Sequence, residues 1–455
     1  MYNSRPKRKT FEIEVSDLAY DGKAVGNING KIVFLDRGLP GEKVEAYLVK
    51  RKARFDIGRV ENILTRSPDR AEARCGHFDV CGGCSWQDLD YGRQLYFKRK
   101  QIGDCLKHFG GLDAVEVSEA VGSEEQFQYR NKMEFSINRD EQCGFVVGLH
   151  RRGHYDEIFD LRQCLLQSPI ANEIVHWFRE YVRVHGIPVY DVTDRTGFIR
   201  FLVIREAHGT GQIMLNLVTA AGIFPDQGSL VAEATSLFKR IATIVQNINS
   251  GQSNIARGEH EIVLFGDGHI VERILNFKFR IYANSFFQTN TAQAERLYRT
   301  VFDILQPQTD DRLLDLYCGT GTIGICAASL VNDVIGIEVE PTAIRAAEEN
   351  ARLNSVENIR FFAASVEDFL RECTGMPGDR NCAIVDPPRA GLHPKALKRL
   401  MALKLPRLVF VSCNPVTFAR DAAALVGEGY KISRVIPVDM FPHTMHIELV
   451  AGFYR

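Results

Sequence analysis

No apolar run in the sequence approaches the roughly 18 residues that a helix needs to cross a bilayer. An integral membrane helix is therefore excluded, and no membrane partner is expected. Residues 1–9 lack the apolar core of a secretory signal, so the expected location is the cytoplasm. Net charge is also missing: 56 Lys and Arg against 57 Asp and Glu leave −1, and bulk charge does not announce nucleic acid. There is no fixed-period repeat and no low-complexity tract, which excludes a solenoid. Nothing in the sequence calls for an obligate protein partner.

Positive charge is present in patches. Basic clusters occupy 5–9, 50–54 and 98–100, all in the first quarter of the 455 residues, where they can neutralise phosphates of a polyanion. Eleven cysteines in a reducing compartment point to metal sites, catalysis or packing before disulfides.

The length implies two to four domains at roughly 100–200 residues each. Residues 1–66 alternate apolar and polar in short runs at 11–15, 31–35, 43–49 and 57–60, punctuated by Asp21-Gly22, Asn29-Gly30 and Pro40-Gly41. Such spacing predicts a small closed, OB-like barrel of the kind that binds oligonucleotides. Residues 67–285 mix strand-like runs with helical stretches, an α+β pattern. From 286 to 455 strands and helices alternate, with strand-like runs at 312–316, 334–337, 359–362, 382–385 and 408–411. This predicts an α/β unit with a parallel sheet covered on both faces. Two last runs, 432–438 and 446–453, have no helix between them and would form an edge hairpin that makes the sheet mixed.

The last unit carries the chemistry. Gly319, Gly321 and Gly324 follow a strand and open a helix, as in the dinucleotide fingerprint, and Glu338 lies where a carboxylate would grip ribose hydroxyls. NAD is the competing cofactor. Asp315, in the strand before the glycines, suits a cation better than a pyrophosphate, and hydride transfer has no evident use for Asp386-Pro387-Pro388. S-adenosylmethionine has an adenosine, ribose hydroxyls and a sulfonium, and no phosphate, so it fits both features. The two prolines stop a buried strand and wall off the carboxyl edge of the sheet, where open α/β sheets bind ligands.

Cys413, after an apolar run and before Asn414-Pro415, is placed for display at a strand end. A thiolate adding at C6 of uracil turns C5 into a nucleophile toward a methyl sulfonium, and such a thiol needs a lowered pKa, which Arg389 could supply. Glu448 is placed to remove the C5 proton afterwards. His443 and His446 read equally as substrate contacts or ordinary polar residues. Cys75, Cys81 and Cys84, with Cys164 downstream, supply four thiols, and Gly76, Gly82 and Gly83 free the backbone to wrap an ion. The spacing serves zinc or an iron–sulfur cluster. Cys318 belongs to the glycine loop; Cys105, Cys143, Cys326, Cys373 and Cys382 lack a motif and read as packing or incidental.

The strings at 315–324 (DLYCGTGTIG), 386–392 (DPPRAGL), 412–421 (SCNPVTFARD) and 440–448 (MFPHTMHIE) resemble the bacterial RNA 5-methyluridine methyltransferases. The N-terminal barrel resembles the TRAM domain, an RNA-binding module, and the four cysteines resemble the 4Fe–4S ligands of the ribosomal-RNA members. The resemblance implies a class I methyltransferase fold, with Cys413 as nucleophile and Glu448 as base. Gln288, Tyr317, Glu338 and Asp386 would contact S-adenosylmethionine, and Thr322 and Ser365 are further cofactor positions. Cys75, Cys81, Cys84 and Cys164 would bind the cluster. Arg130, Asn131 and Lys132 fall in a basic, RNA-facing segment. The tRNA-acting relatives typically lack barrel and cluster, so the implied substrate is a uridine of 23S rRNA.

Three rivals remain. RNA 5-methylcytidine methyltransferases place a second cysteine after the Asp-x-Pro turn, where this chain has Arg389. A tRNA 5-methyluridine methyltransferase would share the catalytic strings. A non-catalytic RNA-binding protein would leave Cys413 and Glu448 without a purpose.

Overall fold

The computed structural model describes residues 9–372 and 381–455. The basic residues 5–8 and Cys373 lie outside the described residues.

Five strands, β1 (Thr10–Leu18), β2 (Ala24–Ile28), β3 (Lys31–Leu35), β4 (Lys43–Arg51) and β5 (Phe55–Thr65), close into a barrel in the order β1-β2-β3-β5-β4. Alternate residues turn inward, so Ile13, Val15, Val33, Leu35, Val44 and Ala46 fill the interior. β2 does not stand out in the sequence because Gly26 and Asn27 interrupt its apolar pattern. Gly26 is required there: a Cβ would sit 2.4 Å from Cγ2 of Ile13. Buried Glu42 closes the barrel's base, accepting from the N–H groups of Leu39 (2.9 Å) and Ser67 (3.3 Å). Arg70 donates to both its oxygens (2.6 and 2.8 Å) and also to Asp88 (2.6 Å), which ties the barrel to the cysteine-bearing segment.

That segment leads into α1 (Tyr91–Gly110). Asp90 caps its start by accepting from the N–H of Arg93, and Gly111, at φ 63°, ends it. One side of α1 adds Phe97 to the barrel core, beside Trp86 and Leu89. Another adds Ile102, Cys105 and Leu106 to the core of the C-terminal sheet. A helix from the central stretch of sequence therefore packs between the two flanking units.

The central unit contains β6 (Lys132–Asp140), β7 (Gly144–Arg151), β8 (His154–Asp160), α2 (Pro169–Val184), β9 (Ile199–Glu206), β10 (Ile213–Thr219), α3 (Gln227–Leu237), β11 (Ile241–Ile248) and β12 (His260–Phe265). Its sheet runs β12-β11-β10-β9-β6-β7-β8, with β10 and β11 parallel across the α3 crossover and the other pairs antiparallel. The hairpin β13 (His269–Ile274) and β14 (Phe277–Tyr282) follows. Its Ile270, Phe279 and Ile281 share a core with Leu313 and Val334, so it packs with the C-terminal unit.

That unit contains α4 (Thr291–Leu305), β15 (Arg312–Leu316), α5 (Thr322–Ala327), β16 (Asp333–Glu338), α6 (Pro341–Leu353), β17 (Ile359–Ala363), α7 (Val366–Glu372), β18 (Asn381–Val385), α8 (Pro394–Ala402), β19 (Arg407–Ser412), α9 (Pro415–Gly427), β20 (Lys431–Val438) and β21 (Glu448–Tyr454). Strand order is β17-β16-β15-β18-β19-β21-β20. The first five are parallel, and β21 inserts antiparallel between β19 and β20, the mixed sheet expected from the two helix-free runs. The order reverses at β15, and the crevice outside the carboxyl ends at such a switch point is the place for a ligand. Among the described residues no helix is long and apolar enough to cross a membrane.

Candidate active site

The carboxyl ends of β15, β16, β18 and β19 open onto a cavity of about 1190 Å³. Gln288, Tyr317, Glu338, Asp386, Cys413 and Glu448 all line it. A smaller cavity of about 40 Å³ adjoins, where Asp315 and Thr322 meet Gln288, Tyr317 and Asp386. The Thr322 hydroxyl lies 2.9 Å from that of Tyr298. Ser365 lines neither cavity. Its hydroxyl bonds the Asp368 carboxylate at 2.8 Å and accepts from the Asp368 N–H, capping α7.

The turn after β15 needs Gly319 and Gly321, and α5 needs Gly324. Gly319, at φ 54°, has open space where a Cβ would project, and at Gly324 a Cβ would lie 2.7 Å from Oδ2 of Asp315. That close approach lets the Gly324 N–H donate to the same oxygen at 2.9 Å. Oδ1 of Asp315 is buried without a hydrogen-bond partner among the described residues. Glu338 accepts from the Gly319 N–H (3.2 Å) and from those of Val339 (2.8 Å) and Glu340 (3.1 Å), which fixes its carboxylate at the cavity wall. The loop bearing Gln288 is pinned from the central unit. Nδ2 of Asn131 donates to the Gln288 carbonyl at 3.0 Å, and the Asn131 N–H donates to the Thr289 carbonyl at 2.9 Å. Arg130 thereby reaches the cavity, whereas Lys132 turns to Glu134 at 2.6 Å.

Cys413 sits half-buried between β19 and α9. Asn414 makes that junction: its Oδ1 accepts from the Val416 N–H at 3.1 Å and its Nδ2 donates to the Arg389 carbonyl at 2.9 Å. The Cys413 thiol is pushed up to about 11, first by burial, then by Glu448 and Asp386, with Arg389 pulling the other way. This corrects the expectation of a thiol already lowered by Arg389: among the protein's own groups, two carboxyls and burial outweigh one guanidinium. Burial also raises Asp386 to about 7, and burial with the charge of Asp386 raises Asp315 to about 7. Burial and Asp386 hold Glu448 well above the carboxylate range against the pull of Arg389. Three carboxyls and a thiol thus converge where each resists ionising. Such a site is complementary to a cation, and the unpartnered Oδ1 of Asp315 and the open cradle at Gly319 fit a sulfonium nucleoside.

The two histidines separate. His446 lines the cavity, while His443 is buried outside it at φ 65°. His443 belongs to the 439–447 loop, which leads to Glu448 and is held by α1 and the cysteine segment. Lys98 is buried against Asp439 at 2.6 Å and donates to the Phe441 carbonyl at 3.1 Å. The Tyr91 hydroxyl donates to Asp439 at 2.9 Å, and Gln94 accepts from the His443 N–H at 2.9 Å. The N–H groups of Ser85 and Trp86 converge on the His443 carbonyl at 2.9 and 3.0 Å. The basic cluster 98–100 is therefore engaged in ion pairs within the chain, and only Lys98 of the three is buried. Lys98 holds Asp439, Arg99 pairs with Glu119, and Lys100 pairs with Asp17 and Asp104. Residues 50–54 stay exposed and keep the polyanion reading.

Cys75, Cys81, Cys84 and Cys164 share one patch of core and feel one another's charge. Sulfur acceptors are served: Gln87 donates to Sγ of Cys84 at 3.2 Å and the Gly83 N–H to Sγ of Cys81 at 3.3 Å. Arg152 donates to the carbonyls of Phe78 (2.9 Å) and Cys84 (2.6 Å), putting a cation beside the patch. Burial pushes Cys84 up to about 12 and Cys164 to about 11. Among the described residues no three His, Cys, Asp or Glu side chains are arranged to hold one metal ion.

The model of the tRNA (uracil-5-)-methyltransferase family matches residues 246–454, and that of the TRAM domain matches 5–60. An uncharacterized RNA methyltransferase of Halalkalibacterium halodurans is 36% identical over 98% of this chain and 97% of its own length. One of Listeria monocytogenes is 38% identical, again over 98% and 97%. The crystal structure of the Pyrococcus abyssi tRNA (uracil-54, C5)-methyltransferase in complex with S-adenosyl-L-homocysteine superposes with a TM-score of 0.78 at 32% identity, covering 97% of this chain and 100% of that one. With its cavity at the switch point and its N-terminal barrel, the chain belongs to the RNA uracil-5 methyltransferases, S-adenosylmethionine-dependent enzymes, and opens with a TRAM domain.

Proposed function

We propose that the protein methylates C5 of a uridine in 23S rRNA through a covalent bond between Cys413 and C6 of the base. The observation that carries this reading is the meeting of Cys413, Asp386 and Glu448 in one cavity at the sheet's switch point. S-adenosylmethionine, when bound, supplies an electrophilic methyl group on a cationic sulfur. Glu338 would hold the ribose hydroxyls, and Gln288, Tyr317 and Asp386 would contact the cofactor, with Thr322 contributing from the smaller cavity. Ser365 lines neither cavity and gives its hydroxyl to Asp368.

A cation beside Asp386 offsets the carboxylate charge that raises the Cys413 thiol, and leaves Arg389 to favour the thiolate. The thiolate adds to C6 and the electron pair moves to C5, which takes the methyl group. Glu448, ionised once a cation offsets the burial and Asp386 charge that hold its proton, removes the C5 proton; the C5–C6 double bond returns, and the thiolate leaves. Glu448→Gln should trap the adduct, seen as RNA migrating with protein on a denaturing gel. A variant that turns over without trapped RNA would remove Glu448 from the base role.

Cys75, Cys81, Cys84 and Cys164 would hold a 4Fe–4S cluster, in which each thiolate binds its own iron and the four need not converge on one point. The N–H donors to sulfur and the Arg152 charge fit such a group. Exposed residues 50–54 and Arg130 offer cations to RNA phosphates, and the setting is the cytoplasm. A second reading, a uridine of tRNA, is favoured by the Pyrococcus abyssi neighbour. That tRNA enzyme matches over nearly the whole chain, so length and domain content do not by themselves separate the two substrates. Base-resolved mapping of 5-methyluridine in a deletion strain decides: loss from 23S rRNA supports the first reading, loss from tRNA alone the second.

A further inference from the structure

The turn between β1 and β2 leaves the barrel and packs beside the active site, against Asn414 and Met445. Its root is fixed by α1, where Nε2 of Gln101 donates to the carbonyls of Leu18 (3.1 Å) and Ala19 (3.0 Å) and Lys100 pairs with Asp17 at 2.6 Å. Its tip is tight: Ala19 donates to the Lys23 carbonyl and Gly22 to that of Ala19, both at 2.8 Å. Gly22, at φ 78°, lies against Met445, whose Sδ and Cβ would be 3.0 and 3.1 Å from an added Cβ. Met445 is three residues before Glu448. Tyr20 itself packs on the core of the C-terminal sheet. Its hydroxyl lies 3.4 Å from Oδ1 of Asn414 and within the fields of Arg389 and Cys413.

We propose that Tyr20 is a positioning residue of this active site, its phenol set between Arg389 and Asn414 so that the barrel fixes the two groups flanking Cys413. The inference rests on the reading of Cys413 as nucleophile. Two contacts link the barrel to the residues beside Cys413. The phenol donates to Oδ1 of Asn414 at 3.4 Å, and Nδ2 of Asn414 donates to the Arg389 carbonyl at 2.9 Å, with the Arg389 charge acting on the phenol. A hydroxyl can donate to that amide oxygen; a phenyl ring cannot. Arg389 is the cation whose charge opposes that of Asp386 at both Cys413 and Glu448, so its direction matters to both. The barrel is then more than a tether for RNA: moving it off the site releases the arginine.

Full-length Tyr20→Phe tests this, with Tyr20→Ala as a second variant and thermal unfolding as the check on folding. Loss of the hydrogen bond to Asn414 predicts a fall in kcat of up to about tenfold, with KM for RNA within about twofold. The pH profile of iodoacetamide labelling, read at the Cys413 peptide by mass spectrometry, should move to higher pH. A rise in KM alone with an unmoved labelling profile, or no change in either, would overturn the inference and leave the barrel as an RNA tether. Cys413→Ala runs in parallel. If it retains turnover, the covalent reading falls and this inference with it; if it is dead while Tyr20→Phe is unaltered, only the inference falls.

Discussion

At the cysteine patch, Cys84 and Cys164 are surrounded by other thiols, by N–H donors and by apolar side chains of the central core. At the cavity, Cys413 faces two carboxyls and a guanidinium. Burial raises the thiol in both places, so a raised pKa does not tell structure from chemistry. The neighbours do. Thiols grouped with N–H donors are prepared to share a positive metal centre, whereas a lone thiol among carboxyls waits for the charge balance of its site to change. A cationic methyl donor is the kind of ligand that changes it.

The largest effect expected from breaking this contrast is at the cavity. Cys413→Ala should lower methyl transfer by at least about 10⁴-fold, because loss of a nucleophile removes the whole covalent route. Affinity for S-adenosylhomocysteine, measured by calorimetry, should stay within about threefold, since the cofactor wall at Glu338, Tyr317 and Gly319 is untouched. Substantial residual turnover would mean that C5 is activated without Cys413.

The catalytic half of this contrast was largely legible from sequence, and for a local reason. The glycine loop, Asp386 and Cys413 all sit where a parallel strand ends, and such positions show themselves as an apolar run followed by Gly, Pro or a polar cap. What escaped depended on distant partners. Tyr20 meets a residue 394 positions away, and no pattern around it signals that contact. Lys98 in its basic run looks like a phosphate-binding lysine, because buried and exposed lysines have the same sequence; Asp439 and the Phe441 carbonyl, far downstream, make its burial tolerable. α1 escaped for the same reason, its two buried faces serving units on either side of it in sequence. β2 escaped because Gly26 weakens its alternation.

A smaller effect is expected at the cysteine patch. Cys84→Ser should lower bound iron in anaerobically purified protein, bleach its brown colour and reduce the unfolding midpoint by about 5 °C or more. The contrast is then sharpened by distance. Ser85 and Trp86, next to Cys84, hold the His443 carbonyl of the loop that leads to Glu448. The variant should therefore also lose activity by about tenfold, far less than Cys413→Ala. A colourless wild-type protein with stoichiometric zinc would sink the cluster assignment. An iron-free variant with full activity and stability would reduce the patch to packing.

The smallest effect is in pH. Asp386 and Asp315 are each raised to about 7, so they are mostly neutral below that pH and ionised above it. In the protein alone this costs stability: between about pH 4 and 7 an unfolded aspartate ionises while the folded one keeps its proton, so stability falls as pH rises. Binding a cation reverses the sign for affinity, because the ionised carboxylate is the better partner. Affinity for S-adenosylmethionine should therefore strengthen from pH 6 to pH 8, by up to about tenfold for a single group of pKa near 7. S-adenosylhomocysteine lacks the positive sulfur and should show a much flatter profile over the same range. Asp386→Asn should flatten the S-adenosylmethionine profile without changing that of S-adenosylhomocysteine, and parallel profiles for the two ligands would mean that these carboxyls do not read the sulfonium charge.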